Sequence, residues 1–144
     1  MLKFAPWFSR LVLLAATFVL AMIGRKFILD PVGAAAASNM TLGSPLAITN
    51  LRASFGAFPL GCAIFVLICL LSAGRRVTGL YFVATIVGTA LVVRLFGIAT
   101  DGTLSDSLRV LVAEGMLLTF SIAAIFADLN AGTSVREQPR RLAA

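Results

Sequence analysis

The sequence predicts an all-α membrane protein, a four-transmembrane-helix antiparallel bundle with a short interfacial helix between helices 1 and 2. Three observations predict it. Four apolar stretches, residues 8–23, 54–73, 77–98 and 108–127, can each cross a hydrocarbon core of about 30 Å, the first with help from its flanks. Apolar residues make up 60 % of the chain and charged ones 12 %, with a mean hydropathy of +1.01, far from the soluble globular average. The turn-forming and polar residues fall between those stretches, so little is left for a soluble domain. Residues 1–130 read as a single four-span membrane domain and 131–144 as a basic, flexible cytoplasmic tail attracted to anionic lipid.

The first span opens on a basic start with Trp7 as an interfacial anchor. A secretory signal peptide is the competing reading, because the small-residue run Ala34 to Ala37 offers a cleavage-like site. Arg25 and Lys26 stand between the apolar run and those alanines, which favours a retained helix. Asp30-Pro31 reads as a helix start, with Asp30 as cap and proline in the first turn, so a short surface helix is expected over 32–39. Gly43-Ser44-Pro45 breaks it, and Ser44 or Asn50 can cap the next element.

In the second span Ala53, Ala57 and Gly61 recur every four residues as a small-residue ridge, and Pro59 predicts a kink. Cys62 and Cys69 share a face about 10 Å apart, too far for a mutual disulfide, and suit packing. Gly74-Arg75-Arg76 makes a tight turn into the third span, where Thr78, Thr85 and Thr89 offer polar contacts. Val83, Val87, Ala90, Arg94 and Asp101 lie on nearly one line of that helix. On the fourth span Ser107, Glu114, Ser121 and Asp128 form a polar seam at seven-residue spacing, read as interior glue or as a path for a ligand or proton. The halves echo each other weakly: each has an acidic turn, Asp30-Pro31 and Asp101-Gly102, and then a Leu-Arg pair, Leu51-Arg52 and Leu108-Arg109.

A charge inside an apolar span is costly unless something answers it. The short turn through Asp101-Gly102 makes the third and fourth spans antiparallel, which places Arg94 and Glu114 at similar depth below one membrane surface. They can pair; the alternative is that Arg94 snorkels to the headgroups and Glu114 stays neutral or hydrated. Asp30, Asn50, Arg52, Arg94, Asp101, Arg109 and Glu114 are all expected at the external end of the bundle. They form either a self-neutralising latch or a cluster whose arginines hold an anionic headgroup or carboxylate.

Several function classes are disfavoured. Net charge is +6 and the isoelectric point near 10.7, yet the basic residues are scattered at helix ends without aromatic platforms, so no nucleic acid partner is expected. There is no histidine, which removes imidazole-ligated cofactors and Ser-His or Cys-His catalysis. No cofactor, metal or catalytic residue is assigned. Lys3, Arg10, Arg75, Arg76, Arg136, Arg140 and Arg141 fall on one side, which places both termini in the cytoplasm.

Asp30-Pro31, the run Asn50-Leu51-Arg52-Ala53 to Phe55-Gly56, Arg94-Leu95-Phe96-Gly97 with Asp101-Gly102, and Glu114 carry a resemblance. Over about residues 11–126 the chain resembles an uncharacterised bacterial family of small four-helix integral membrane proteins, a domain of unknown function. Val93 stands where that pattern often has glycine. The resemblance implies a four-helix membrane fold and supplies no activity. In layout the chain is also similar to the DoxX-like small quinone-associated membrane proteins.

The expectation is a non-enzymatic, multi-pass protein of a bacterial inner membrane, surrounded by membrane lipids and packing as an accessory subunit against a larger, energy-transducing membrane complex. The alternative is a small protein that binds a lipid, quinone or anionic solute at Asp30, Asn50, Arg52, Arg94, Asp101 and Glu114.

Overall fold

The computed structural model describes residues 5–141. Its elements in order are α1 (Ala5–Leu29), α2 (Pro31–Ala36), α3 (Pro45–Leu51), a π-helical turn (Arg52–Ala57), α4 (Phe58–Leu71), a 3₁₀ turn (Ala73–Arg75), α5 (Arg76–Asp101) and α6 (Leu104–Arg141). No strand occurs among the described residues. Four helical stretches are long and apolar enough to cross a membrane: Trp7–Leu29, Pro45–Leu71, Ala73–Asp101 and Ser107–Asn130. The expected all-α, four-span architecture is therefore present, with α2 as the short helix between the first two spans.

Span ends differ from the sequence reading where long polar side chains sit at helix ends. The first span runs on through Arg25 and Lys26 to Leu29, because both are exposed and their stems allow the charges to reach water. The second begins at Pro45, since α3 and the π turn continue into α4. The backbone of 131–141 continues α6 as helix to Arg141, and the remainder of the expected tail, 142–144, lies outside the described residues.

The described residues fall into two compact units, Leu14–Ile68 and the parts of the chain up to Leu13 and from Cys69 onward. In the unit Leu14–Ile68, Asp30 caps α2 by accepting a hydrogen bond from Gly33 N–H at 3.0 Å, with Pro31 in the first turn. Asn39, at φ 55°, carries the chain out of the following turn in the left-handed region that Asn tolerates. Ser44 rather than Asn50 caps α3, its Oγ accepting from Ala47 N–H at 3.2 Å. Pro59 then acts through the preceding turn: a proline lacks the N–H an α-helix needs, and the backbone widens into a π turn in which Phe58 N–H donates to Ala53 O.

That extra residue per turn shifts the helix phase. Leu51 and Gly56, five apart, are buried, while Ala53, Ala57 and Gly61 are exposed. The small-residue ridge expected from a 3.6-residue period is thus turned outward, and Gly56 takes the inner position. There it meets Gly24 of α1: a Cβ on Gly24 would stand 2.8 Å from Gly56 O. Phe27 and Phe55 stack beside the crossing with ring centres 5.5 Å apart.

In the other unit, α5 and α6 form an antiparallel hairpin. Gly102 ends α5 at φ 70° and donates its N–H to Ile98 O at 3.1 Å, the left-handed cap that glycine adopts without a Cβ penalty. Nothing lies within 4 Å of the place a Gly102 Cβ would take, so only backbone conformation opposes a side chain there. Gly102→Ala is expected to lower stability by about 1 kcal/mol in a thermal melt, while Gly43→Ala, also in open space, leaves the melt unchanged. Where α4 meets α5, Gly79 packs against Cys69 and Leu13, a Cβ there coming within 2.7 Å of the Cys69 Cβ. Both Cys62 and Cys69 are buried free thiols. Phe8 meets Phe120 edge-on at 6.4 Å.

Candidate functional site

The hairpin register follows from small residues facing large ones. A Cβ on Gly88 would lie 3.7 Å from Leu118, and one on Gly115 would lie 3.9 Å from Leu91. Beside this contact, Arg94, three residues past Leu91, reaches Glu114, the neighbour of Gly115 on α6. Leu80 and Val83 are buried and Val87, Ala90 and Arg94 are half-buried, so they line the inner side of α5. On α6 the inner side holds Ser107, Glu114, Ser121 and Asp128, the seven-residue seam. Ser121 is fully buried and donates to Leu117 O at 2.7 Å, so this member of the seam is satisfied within its own helix.

Arg94 grips Glu114 with two parallel bonds: Nε donates to Oε2 at 2.8 Å and Nη2 to Oε1 at 2.7 Å. This fork matches a planar guanidinium to a planar carboxylate, the strongest geometry such a pair has. The Arg94 side chain is 32 % exposed and that of Glu114 19 %. Arg94 lies seven residues inside the end of α5, about 10 Å along the helix axis at about 1.5 Å per residue. At that depth the pair removes two formal charges from the apolar zone at once. Two of the five guanidinium N–H groups are used by Glu114, and the remaining edge of Arg94 is the part with chemistry left to offer.

The other four candidate residues are placed differently. Asp101 ends α5, exposed, with its Oδ2 3.8 Å from the place a Gly97 Cβ would take. Asp30, Asn50 and Arg52 belong to the unit Leu14–Ile68, where all three are exposed and the Asp30 carboxylate is engaged as the α2 cap. Thr78, Thr85 and Thr89, expected as polar contacts within the bundle, face outward from α5. The glycines at the close approaches, Gly24, Gly56 and Gly79, were not marked by the sequence pattern, since none recurs at a regular spacing. Among the described residues no three His, Cys, Asp or Glu side chains gather where they could hold a metal ion.

No curated protein and no solved structure matches the chain. A family match covers residues 1–127 of the 144 and so takes in the first three spanning helices, the fourth up to its last three residues, and the Arg94–Glu114 pair. The protein, a helical multi-pass membrane protein, belongs to the family described as a domain of unknown function, DUF4345.

Proposed function

We propose that this protein is a non-enzymatic accessory subunit of a bacterial inner-membrane complex, with both termini in the cytoplasm, and that Arg94 and Glu114 are a latch holding α5 to α6. The observation that carries this reading is the bidentate pair itself. A charge that is answered within the chain needs no external ligand, and the fork leaves the Glu114 carboxylate occupied at both oxygens. Burial supports the same reading: 6 % of the apolar stretch of the third span is buried, against 17–28 % for the other three. A larger complex would cover such a span. The basic ends Arg10, Arg75 and Arg76 support the orientation.

A second reading has its own observation, the N–H groups of Arg94 that Glu114 does not use. With them the pair presents a polar edge to a lipid phosphate, a quinone carbonyl or an anionic solute.

The test is purification of a tagged copy from its own cells in mild detergent, with mass spectrometry of what co-migrates. Near-stoichiometric protein partners, repeated across preparations, support the subunit. A 15.1 kDa species that carries a lipid or quinone, and whose melt rises when that molecule is added back, overturns it in favour of the binding site.

A further inference from the structure

The membrane surface opposite the Arg94 end carries a pair of exposed arginines that one helix contact brings together. Gly79 of α5 meets Leu13 of α1, where a Cβ on the glycine would stand 3.1 Å from Leu13 Cδ2. As the first and third of four spans, α1 and α5 run in the same direction, so equal steps back from this contact reach equal depth. Three steps back on α1 stands Arg10, and three and four steps back on α5 stand Arg76 and Arg75. All three lie about 4.5–6 Å from the contact, toward one membrane surface.

Helical phase sorts them. At about 100° per residue, Arg10 and Arg76 are each turned about 60° from the contact in one rotational sense, and because the two helices face each other this sends them to opposite sides of it. Arg75, turned about 40° in the other sense, comes to the side of Arg10. Burial sorts them the same way: Arg76 is half-buried and donates from Nε to Ala73 O at 3.4 Å, whereas Arg10 and Arg75 are exposed. Among the described residues the side chains of Arg10 and Arg75 have no hydrogen-bond or ion-pair partner. Asp128, the carboxylate at this end among the described side chains, is eight residues past Phe120, which meets Phe8, and so stands about 12 Å along α6 beyond that level. Two like charges side by side, with no carboxylate beside them, draw an anion from outside the chain.

The surroundings select the anion. Arg10 is three residues inside the first span and Arg75 two inside the third, the depth of lipid phosphates. Trp7 and Leu11 flank Arg10 on α1, and Leu71 ends α4 just before the turn to Arg75; all three are exposed. A free anion leaves that apolar surface uncovered. An anionic phospholipid offers phosphate oxygens to the guanidiniums and an acyl chain to the apolar groups. We propose that an anionic phospholipid binds here, its phosphate held between Arg10 and Arg75. The site lies at the other membrane surface from Arg94 and Glu114, and it rests neither on the accessory-subunit reading nor on which side this surface faces.

Trp7, the one tryptophan of the chain, stands one turn from Arg10 and reports the site. The protein is reconstituted in phosphatidylcholine vesicles at about 0.15 M salt, and quenching of Trp7 fluorescence is compared for phosphatidylglycerol and phosphatidylcholine with brominated chains. The expected preference for phosphatidylglycerol is about tenfold. Arg10→Gln and Arg75→Gln are each expected to reduce it about threefold. Arg76→Gln removes one charge from the same surface on the other side of the contact and is expected to leave the preference unchanged. Quenching by the brominated phosphatidylcholine should be the same in all variants, which shows that Trp7 keeps its place, and inorganic phosphate in excess should not relieve the quenching by phosphatidylglycerol. Three results overturn the proposal: equal quenching by the two lipids in the wild type, an equal fall in all three variants as diffuse surface charge would give, or relief by inorganic phosphate, which would make this a site for a free anion.

Discussion

Arg94→Ala is expected to lower the stability of the detergent-solubilised protein by about 2–4 kcal/mol, and adding Glu114→Ala to it is expected to cost far less than Glu114→Ala alone. The reason lies in what each single change leaves behind. Without Arg94, the Glu114 carboxylate, 19 % exposed in the intact pair, is left nearly three turns inside the start of α6 with both oxygens unanswered. Without Glu114, a guanidinium that cannot give up its proton remains on the inner side of α5. Removing both leaves a hairpin still held by Gly88 against Leu118 and Leu91 against Gly115. The pair is partly exposed, which puts the expected loss at the low end for buried ion pairs. Arg94→Lys should fall between wild type and Arg94→Ala, because an ammonium keeps the charge and loses the fork. Thermal melts of the two single variants and the double variant decide the matter, with a coupling of at least about 2 kcal/mol expected. Additive losses would mean that the two charges are stabilised separately and that the latch contributes nothing.

That this pair could be reached from sequence has a physical cause. Charges are scarce in apolar spans, so Arg94 and Glu114, each several residues inside its span, stand out, and a short turn fixes their relative depth by simple counting. Span number was legible for the same reason: hydropathy over about twenty residues is a strong signal. Azimuth is a weaker one. Asp30, Asn50, Arg52 and Asp101 were placed at one end by depth alone, and depth does not state which way a side chain points or whether it is already engaged. The cap that Asp30 supplies to Gly33 is a local bond that competes with any distant role. The second span shows the same limit in its backbone. Pro59 announced an irregularity, but its form was a π turn, and one added residue per turn was enough to turn Ala53, Ala57 and Gly61 outward and Gly56 inward. A ridge drawn with a uniform period cannot anticipate a change of period.

The crossing created by that change gives the second large effect, and it differs between the two glycines that make it. Gly24→Ala is expected to cost about 2–3 kcal/mol even though alanine is the better helix former by about 1 kcal/mol. Its Cβ would stand 2.8 Å from Gly56 O and 3.0 Å from Leu60 N, both main-chain atoms that cannot move aside without separating the helices. Gly56→Ala meets Ile28 Cγ1 at 2.6 Å and Ile28 N at 3.3 Å, so the worst of its clash is with a side chain. Shortening that side chain should therefore relieve it: Gly56→Ala with Ile28→Ala is expected to recover part of the loss, while Gly24→Ala with Leu60→Ala recovers little, because trimming Leu60 leaves the Gly56 carbonyl in place. Melts of the four variants, with helix content followed by far-ultraviolet circular dichroism, separate these outcomes. Equal recovery in both pairs would show that the approach of α1 to the π turn is set by side chains. Rescue confined to Gly56 would locate the constraint in the backbone of the π turn, where the Gly56 carbonyl faces α1 and only a glycine at position 24 leaves room for it.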